Sequence, residues 1–173
     1  AFELLKGALK KSSWNDVIRC GAIAGFAELA DARAIPVVLE WTKYGKPNAV
    51  RRAAIAALGK LGEGRKDVRD AVIALLDDRS LMVRITAVGA LEALHDLTVL
   101  PALEAIANAD VDGRLKRRSA EAVRALRELS EKTGDVKQLR DEIAELKAAN
   151  RSLSDRLEFL ESNSKVSKKR KQA

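Results

Sequence analysis

The chain has 173 residues, of which 33% are charged and 3% aromatic, and carries a net charge of +7 at pH 7. One cysteine and one histidine leave no internal disulfide and no clustered thiolate or imidazole metal site. No apolar run approaches the roughly 18 residues a membrane span needs, and no signal peptide precedes the first element, so an alanine-rich helical domain with no membrane contact, in a cytoplasmic setting, is expected.

The first predicted element is an apolar helix over Phe2–Lys11, closed at Ser12-Ser13. It begins at Ala1 without an initiator methionine, which gives the expectation of a piece cut from a longer protein. The next helix opens the frame R-x-x-A-x-x-[A/G]-[L/F]-x-x-L with Arg19, Ala22, Gly25, Phe26 and Leu29. A helix over Arg33–Thr42 follows, with Pro36 near its start, where a missing N–H costs least, and then the break Gly45-Lys46-Pro47. The frame returns as Arg51, Ala54, Ala57, Leu58 and Leu61, 32 residues on. Beyond Gly62-Glu63-Gly64 comes Lys66–Asp77, and then the third copy, Arg84, Ala87, Ala90, Leu91 and Leu94, after a further 33 residues. Thr98–Asn108, with Pro101, leads through Asp110-Val111-Asp112-Gly113 to a fourth copy that keeps Ala122, Ala125, Leu126 and Leu129 but has Ser119 in the arginine place.

Small and apolar residues at i, i+3, i+4 and i+7 form one stripe of a helix, and the breaks combine N-cap residues with C-terminal glycines. Nothing alternates with period two, so no sheet is predicted. A period in the thirties means stacked supersecondary units, since one hairpin cannot bury its apolar face alone. The predicted fold is all-α: a helical-hairpin solenoid of about four repeats over 1–132. With the Val-Arg pairs Val50-Arg51 and Val83-Arg84, and Ile18-Arg19 beside them, it resembles HEAT repeats.

After Thr133-Gly134 the period becomes a heptad, and 133–162 reads as a leucine-zipper-like coiled coil on one long helix. Val136, Ile143, Asn150 and Leu157 take the a positions, and Leu139, Leu146, Leu153 and Leu160 the d positions. β-branched a residues, leucine at every d and one central asparagine favour a parallel homodimer. The g–e′ pairs Asp135–Arg140, Glu142–Lys147 and Arg156–Glu161 are opposite in sign. A helix folded back to cap the last repeat, a partner protein's helix and an added zipper are the alternatives. The last eleven residues hold five basic and no acidic side chains, and 163–173 reads as a basic disordered tail.

No catalytic constellation emerges, and no cofactor is implied. His95 ends a helix, where a cation suits the dipole. Cys20 beside the small-residue stripe reads as a structural thiol. Asp77-Asp78 and Asp110-x-Asp112-Gly113, the latter faintly like a calcium loop, suit turns and helix caps. The ladder of Arg19, Arg51 and Arg84 could track phosphates, but pairing with acids such as Asp16, Asp78 and Asp112 is the simpler use. Lys116, Arg117 and Arg118 form the densest basic patch of the fold and a possible basic contact. Trp14 and Trp41-x-x-Tyr44 read as inter-repeat packing rather than an exposed anchor.

Two segments carry a closer likeness. Ser13-Trp-Asn-Asp-Val-Ile-Arg-Cys-Gly-Ala22, and Ala34-Ile-Pro-Val-Val-Leu-Glu-Trp-Thr-Lys-Tyr-Gly-Lys-Pro47 with Val50-Arg51, resemble the C-terminal HEAT-like domain of bacterial aminopeptidase N-like zinc metallopeptidases. The resemblance implies a non-catalytic module beside an upstream HExxH domain, whose zinc ligands match no position here. The expected partners are that catalytic domain and a second copy of the chain. A free-standing HEAT adaptor for a protein partner, and a HEAT-like nucleic-acid-binding protein using Lys116–Arg118 and the tail, are the alternative readings. HEAT-like bilin lyases are a weaker analogy, with no chromophore-specific residue to support it.

Overall fold

The computed structural model describes the backbone of residues 1–170 and the side chains of 1–134, 142–148, 150 and 151. Eight α-helices follow one another among the described residues, with no strand: α1 Phe2–Ala8, α2 Val17–Leu29, α3 Ile35–Glu40, α4 Asn48–Leu61, α5 Lys66–Ala74, α6 Leu81–Ala93, α7 Leu100–Ala109 and α8 Gly113–Arg170. Short 3-10 turns lead into α2, α3 and α7 and close α5. The all-α expectation holds. The chain divides into two compact units, Ala1–Leu129 and Ser130–Ala173.

Local chemistry sets the helix starts. The Ser13 hydroxyl accepts from the Ile18 N–H at 3.0 Å, across a turn in which Asn15 and Asp16 take left-handed backbone (φ 49° and 55°). Asp31 accepts from the Arg33 N–H and Asp96 from the Thr98 N–H, each at 2.9 Å, and Pro36 and Pro101 stand at the first turns of α3 and α7. Asp78 does the same for Ser80, and Asp112 for Arg114, at the entries to α6 and α8. Aspartate accepting two residues on is the Asx turn, so one short motif opens four hairpin segments.

The frame helices α2, α4 and α6 stack side by side, α2 against α4 and α4 against α6, while α1, α3 and α5 pack on their own partners. Ala22, Ala54, Ala87 and Ala122 are buried, as are Phe26, Leu58, Leu91 and Leu126. Small residues at the first of these positions admit the neighbouring backbone, and each large one removed from water stabilises by about 1.5–3 kcal/mol. The closest approach is at Gly59, where an added methyl would sit 2.9 Å from the Ala90 Cα. The frame's last leucine buries according to its place in the stack. Leu94 is buried, Leu61 is half-buried, and Leu29 and Leu129, in the terminal copies, are exposed.

The second unit is helical, and Thr133-Gly134 does not interrupt α8. A single exposed glycine costs a helix about 1 kcal/mol relative to alanine, too little to end one of this length. No proline or glycine follows it before the C-terminus, and the helix is traced to Arg170, into the segment expected as a disordered tail. Of the eight heptad positions, Ile143 and Leu146 are 51% and 65% exposed, and Asn150 is exposed. The side chains of Val136, Leu139, Leu153, Leu157 and Leu160 lie outside the described residues, as do residues 171–173.

Candidate functional site

The repeated arginines organise the first unit. Arg51, only 2% exposed, donates its Nε–H to the Thr42 carbonyl at 2.8 Å, satisfying the end of the preceding outer segment. Its two terminal nitrogens fork onto both carboxylate oxygens of Asp78, in the loop of the next hairpin. That guanidinium holds the Asp78 carboxyl below its ordinary pKa against the opposing effect of burial, with help from the Ser80 N–H. Arg84 repeats the reach one hairpin later, to Asp110 at 3.0 Å. The acid is Asp110 and not Asp112, because Asp112 is occupied in capping α8 through the N–H groups of Arg114 and Leu115. Arg84 Nε is buried with no acceptor.

Arg19 breaks the pattern. Its Nε–H donates to the Leu9 carbonyl at 3.0 Å, but its guanidinium turns back to Asp16 of the same hairpin at 2.5 Å. Its face lies 5.5 Å from the Trp41 ring centroid, and Lys46 stands 4.8 Å from the same ring. In the fourth copy Ser119 is buried, with its hydroxyl unpartnered. An arginine there would need a carboxylate from a further hairpin.

The basic patch is largely neutralised by pairing. Arg118 pairs with Glu92, Arg117 lies 3.7 Å from Glu121, and Arg114 pairs with Asp112 at 3.1 Å; Lys116 is half-buried. Charges so compensated make a poor phosphate stripe. The faint calcium loop is excluded by geometry, since α8 begins at Gly113 and Asp112 is committed to capping it.

Trp14 and Tyr44 are 85% and 75% exposed, on the loops at the edge of the stack, which corrects their assignment to packing; Trp41 is half-buried. Arg79 lies over the Tyr44 ring at 5.5 Å. Hydropathy gives no sign of this exposure. The clue in the sequence was position, since these residues stand at the hairpin turns rather than in the frame.

His95 adopts left-handed backbone (φ 52°) just past α6, with Nδ1 3.9 Å from Glu63. Cys20 is half-buried, and its thiol is pushed up by burial and then by Asp16, away from a reactive thiolate. A shallow recess of about 140 Å³ between α2 and α4 is lined by alanines and spanned by Lys60–Glu28 at 2.8 Å. Among the described residues no cluster of His, Cys, Asp or Glu could hold a metal, and no helix is long and apolar enough to cross a membrane.

Paired helices stacked through an arginine ladder define a helical-repeat protein. The model of the HEAT repeats matches residues 3–66 and 61–124, more than half of the chain. The chain belongs to the HEAT-repeat family, whose members are typically non-catalytic and commonly mediate protein interactions. No curated protein matches the sequence.

Proposed function

We propose that this chain is a non-catalytic scaffold and interaction module. The Arg51–Asp78 and Arg84–Asp110 pairs carry this reading. They commit the charged groups best placed for chemistry to locking one hairpin onto the next. What remains is a stack with exposed loop residues suited to contact. The likeness of 13–22 and 34–47 to the C-terminal domain of aminopeptidase N-like metallopeptidases makes such an enzyme the natural parent, with the solenoid shaping access to an upstream catalytic domain. In-frame coding sequence before Ala1 with an HExxH helix and a later glutamate supports that parentage, and a start codon at Ala1 overturns it. Metal-dependent cleavage of aminoacyl substrates by the purified chain would falsify the scaffold reading itself.

The heptad residues supply assembly. Ile143 and Leu146 are exposed apolar side chains on a helix whose a and d pattern suits a second copy. Light scattering of the full chain is expected to give a dimer mass. The Leu146→Lys, Leu153→Lys double variant is expected to give a monomer; equal masses for the two would remove the zipper from this account.

A further inference from the structure

We infer that the edge formed by the first two hairpin loops, 9–16 and 41–47, is a docking surface for an acidic peptide segment that also carries an apolar side chain. This rests on the interaction-module reading but not on the peptidase parentage. In the later rungs the acid stands 27 residues after Arg51 and 26 after Arg84. The corresponding place after Arg19 reads Gly45-Lys46, so a cation stands where a carboxylate closes the other rungs. Arg19 is left with its own Asp16, and it gathers with Lys46 on the Trp41 ring. The first rung is the one that lacks an acid from its neighbour, and it opens at the edge of the stack.

The charge around it agrees. The segments 9–19 and 40–47 hold the cations Lys10, Lys11, Arg19, Lys43 and Lys46 against two acids. Asp16 takes Arg19, and Glu40 is shared by Lys43 at 2.5 Å and Lys46 at 3.9 Å, so the positive surplus is carried chiefly by the exposed Lys10 and Lys11 beside Trp14. The loops around Asp78 and Asp110 carry four aspartates against two arginines, so the edge changes sign along its length. Exposed Trp14 and Tyr44 add large apolar area inside the basic part, the combination of anchor and charged surround that interfaces use. A single-stranded nucleic acid fits less well, because it needs open ring faces to stack on. Trp41 already carries Arg19 and Lys46, and Tyr44 carries Arg79, which leaves Trp14 as the one exposed ring of the three for a base to stack on. Carboxylates need only ammonium groups, which the exposed Lys10 and Lys11 offer beside Trp14.

The test is fluorescence anisotropy of a labelled peptide of alternating glutamate and leucine, titrated with the full-length chain. Saturable binding is expected, weakened about tenfold or more by Trp14→Ala and by Lys46→Glu and unchanged by Arg124→Glu on the last hairpin. Both altered loop side chains reach solvent, so helicity by circular dichroism should stay intact. No saturable binding, binding indifferent to Trp14→Ala, or equal affinity for a lysine–leucine peptide overturns the proposal. So does an oligothymidylate that binds more tightly through the same residues. A chain that binds the acidic peptide here yet hydrolyses aminoacyl substrates keeps this surface and loses the scaffold reading; a chain that does neither loses only this surface.

Discussion

Arg19 and Arg51 occupy the same place in the same frame, and they end in opposite surroundings. Arg51 is sealed between hairpins with a bidentate carboxylate and a carbonyl. Arg19 keeps the carbonyl but lacks the neighbour's acid, and it faces an aromatic ring at the edge of the stack. The difference comes from the following loop, which offers Asp78 in one case and Lys46 in the other. A repeat thus has two uses for one residue: as a lock between hairpins where its neighbour supplies the opposite charge, and as a cation held by its own hairpin's acid, against an aromatic ring, where it does not.

The largest expected effect tests the lock. Removing one partner of a buried ion pair strands the other charge, which costs about 3–5 kcal/mol. Asp78→Ala should lower the unfolding free energy by that amount in urea titrations, against about 1–3 kcal/mol for Asp110→Ala, whose partner Arg84 is more open. Asp16→Asn, at the open rung, should cost about 1 kcal/mol or less. Equal losses at Asp78 and Asp16 would erase the distinction between the rungs.

Acid should show the same asymmetry. Asp78 is depressed in the folded state by the Arg51 fork, so its contribution is complete above the unfolded aspartate value of about 3.9 and fades as pH falls toward the lower folded value. Stability of the parent chain should therefore drop below about pH 4, and Asp78→Asn, though weaker at neutral pH, should show a shallower acid limb. An unchanged acid limb would mean that the fork does not hold the carboxyl down.

The frame was legible because it obeys one rule throughout: small residues where helices touch, large ones where volume must be filled, and an arginine at each interior start. What the sequence left open was decided by competition. Asp110 and Asp112 are equally plausible partners for Arg84 until the cap of α8 takes one of them. Trp14 and Tyr44 read as inter-repeat packing, yet they lie on turns at the edge of the stack and stay largely exposed. Thr133-Gly134 looked like a boundary between two periods, but the heptad can begin without a break because one glycine is a small cost within a long helix. The exposed part of the open rung was least legible, because it depends on an acid that the sequence does not contain.

Gly59 tests how tightly the locked part of the stack is drawn together. A methyl there meets the Ala90 backbone at 2.9 Å from Cα and 3.1 Å from the carbonyl oxygen, atoms that move only if α4 and α6 separate. Gly59→Ala should destabilise by about 1–3 kcal/mol despite alanine's better helix propensity. Gly25→Ala is the control in the open rung's own helix. Its methyl would meet the flexible end of Leu5, and the loss should be smaller. If Gly25→Ala proves the costlier change, the first interface is the tighter one and the contrast between the rungs reverses.

The smallest effect lies at the exit of the open rung's helix. Ala30 closes α2 in left-handed backbone (φ 49°, ψ 31°), with its N–H donating to the Ala27 carbonyl. A Cβ is strained in that conformation, whereas glycine adopts it freely. Ala30→Gly should stabilise the chain by about 0.5–1 kcal/mol, read as a rise in Tm, while glycine's extra freedom in the unfolded chain keeps the gain below the full strain. His95 ends α6 in the same conformation, so His95→Gly should act in the same direction. A fall in Tm for Ala30→Gly would mean that the Ala30 methyl does more through contact than it loses through strain. The α2–α3 corner would then owe its geometry to packing rather than to the cap.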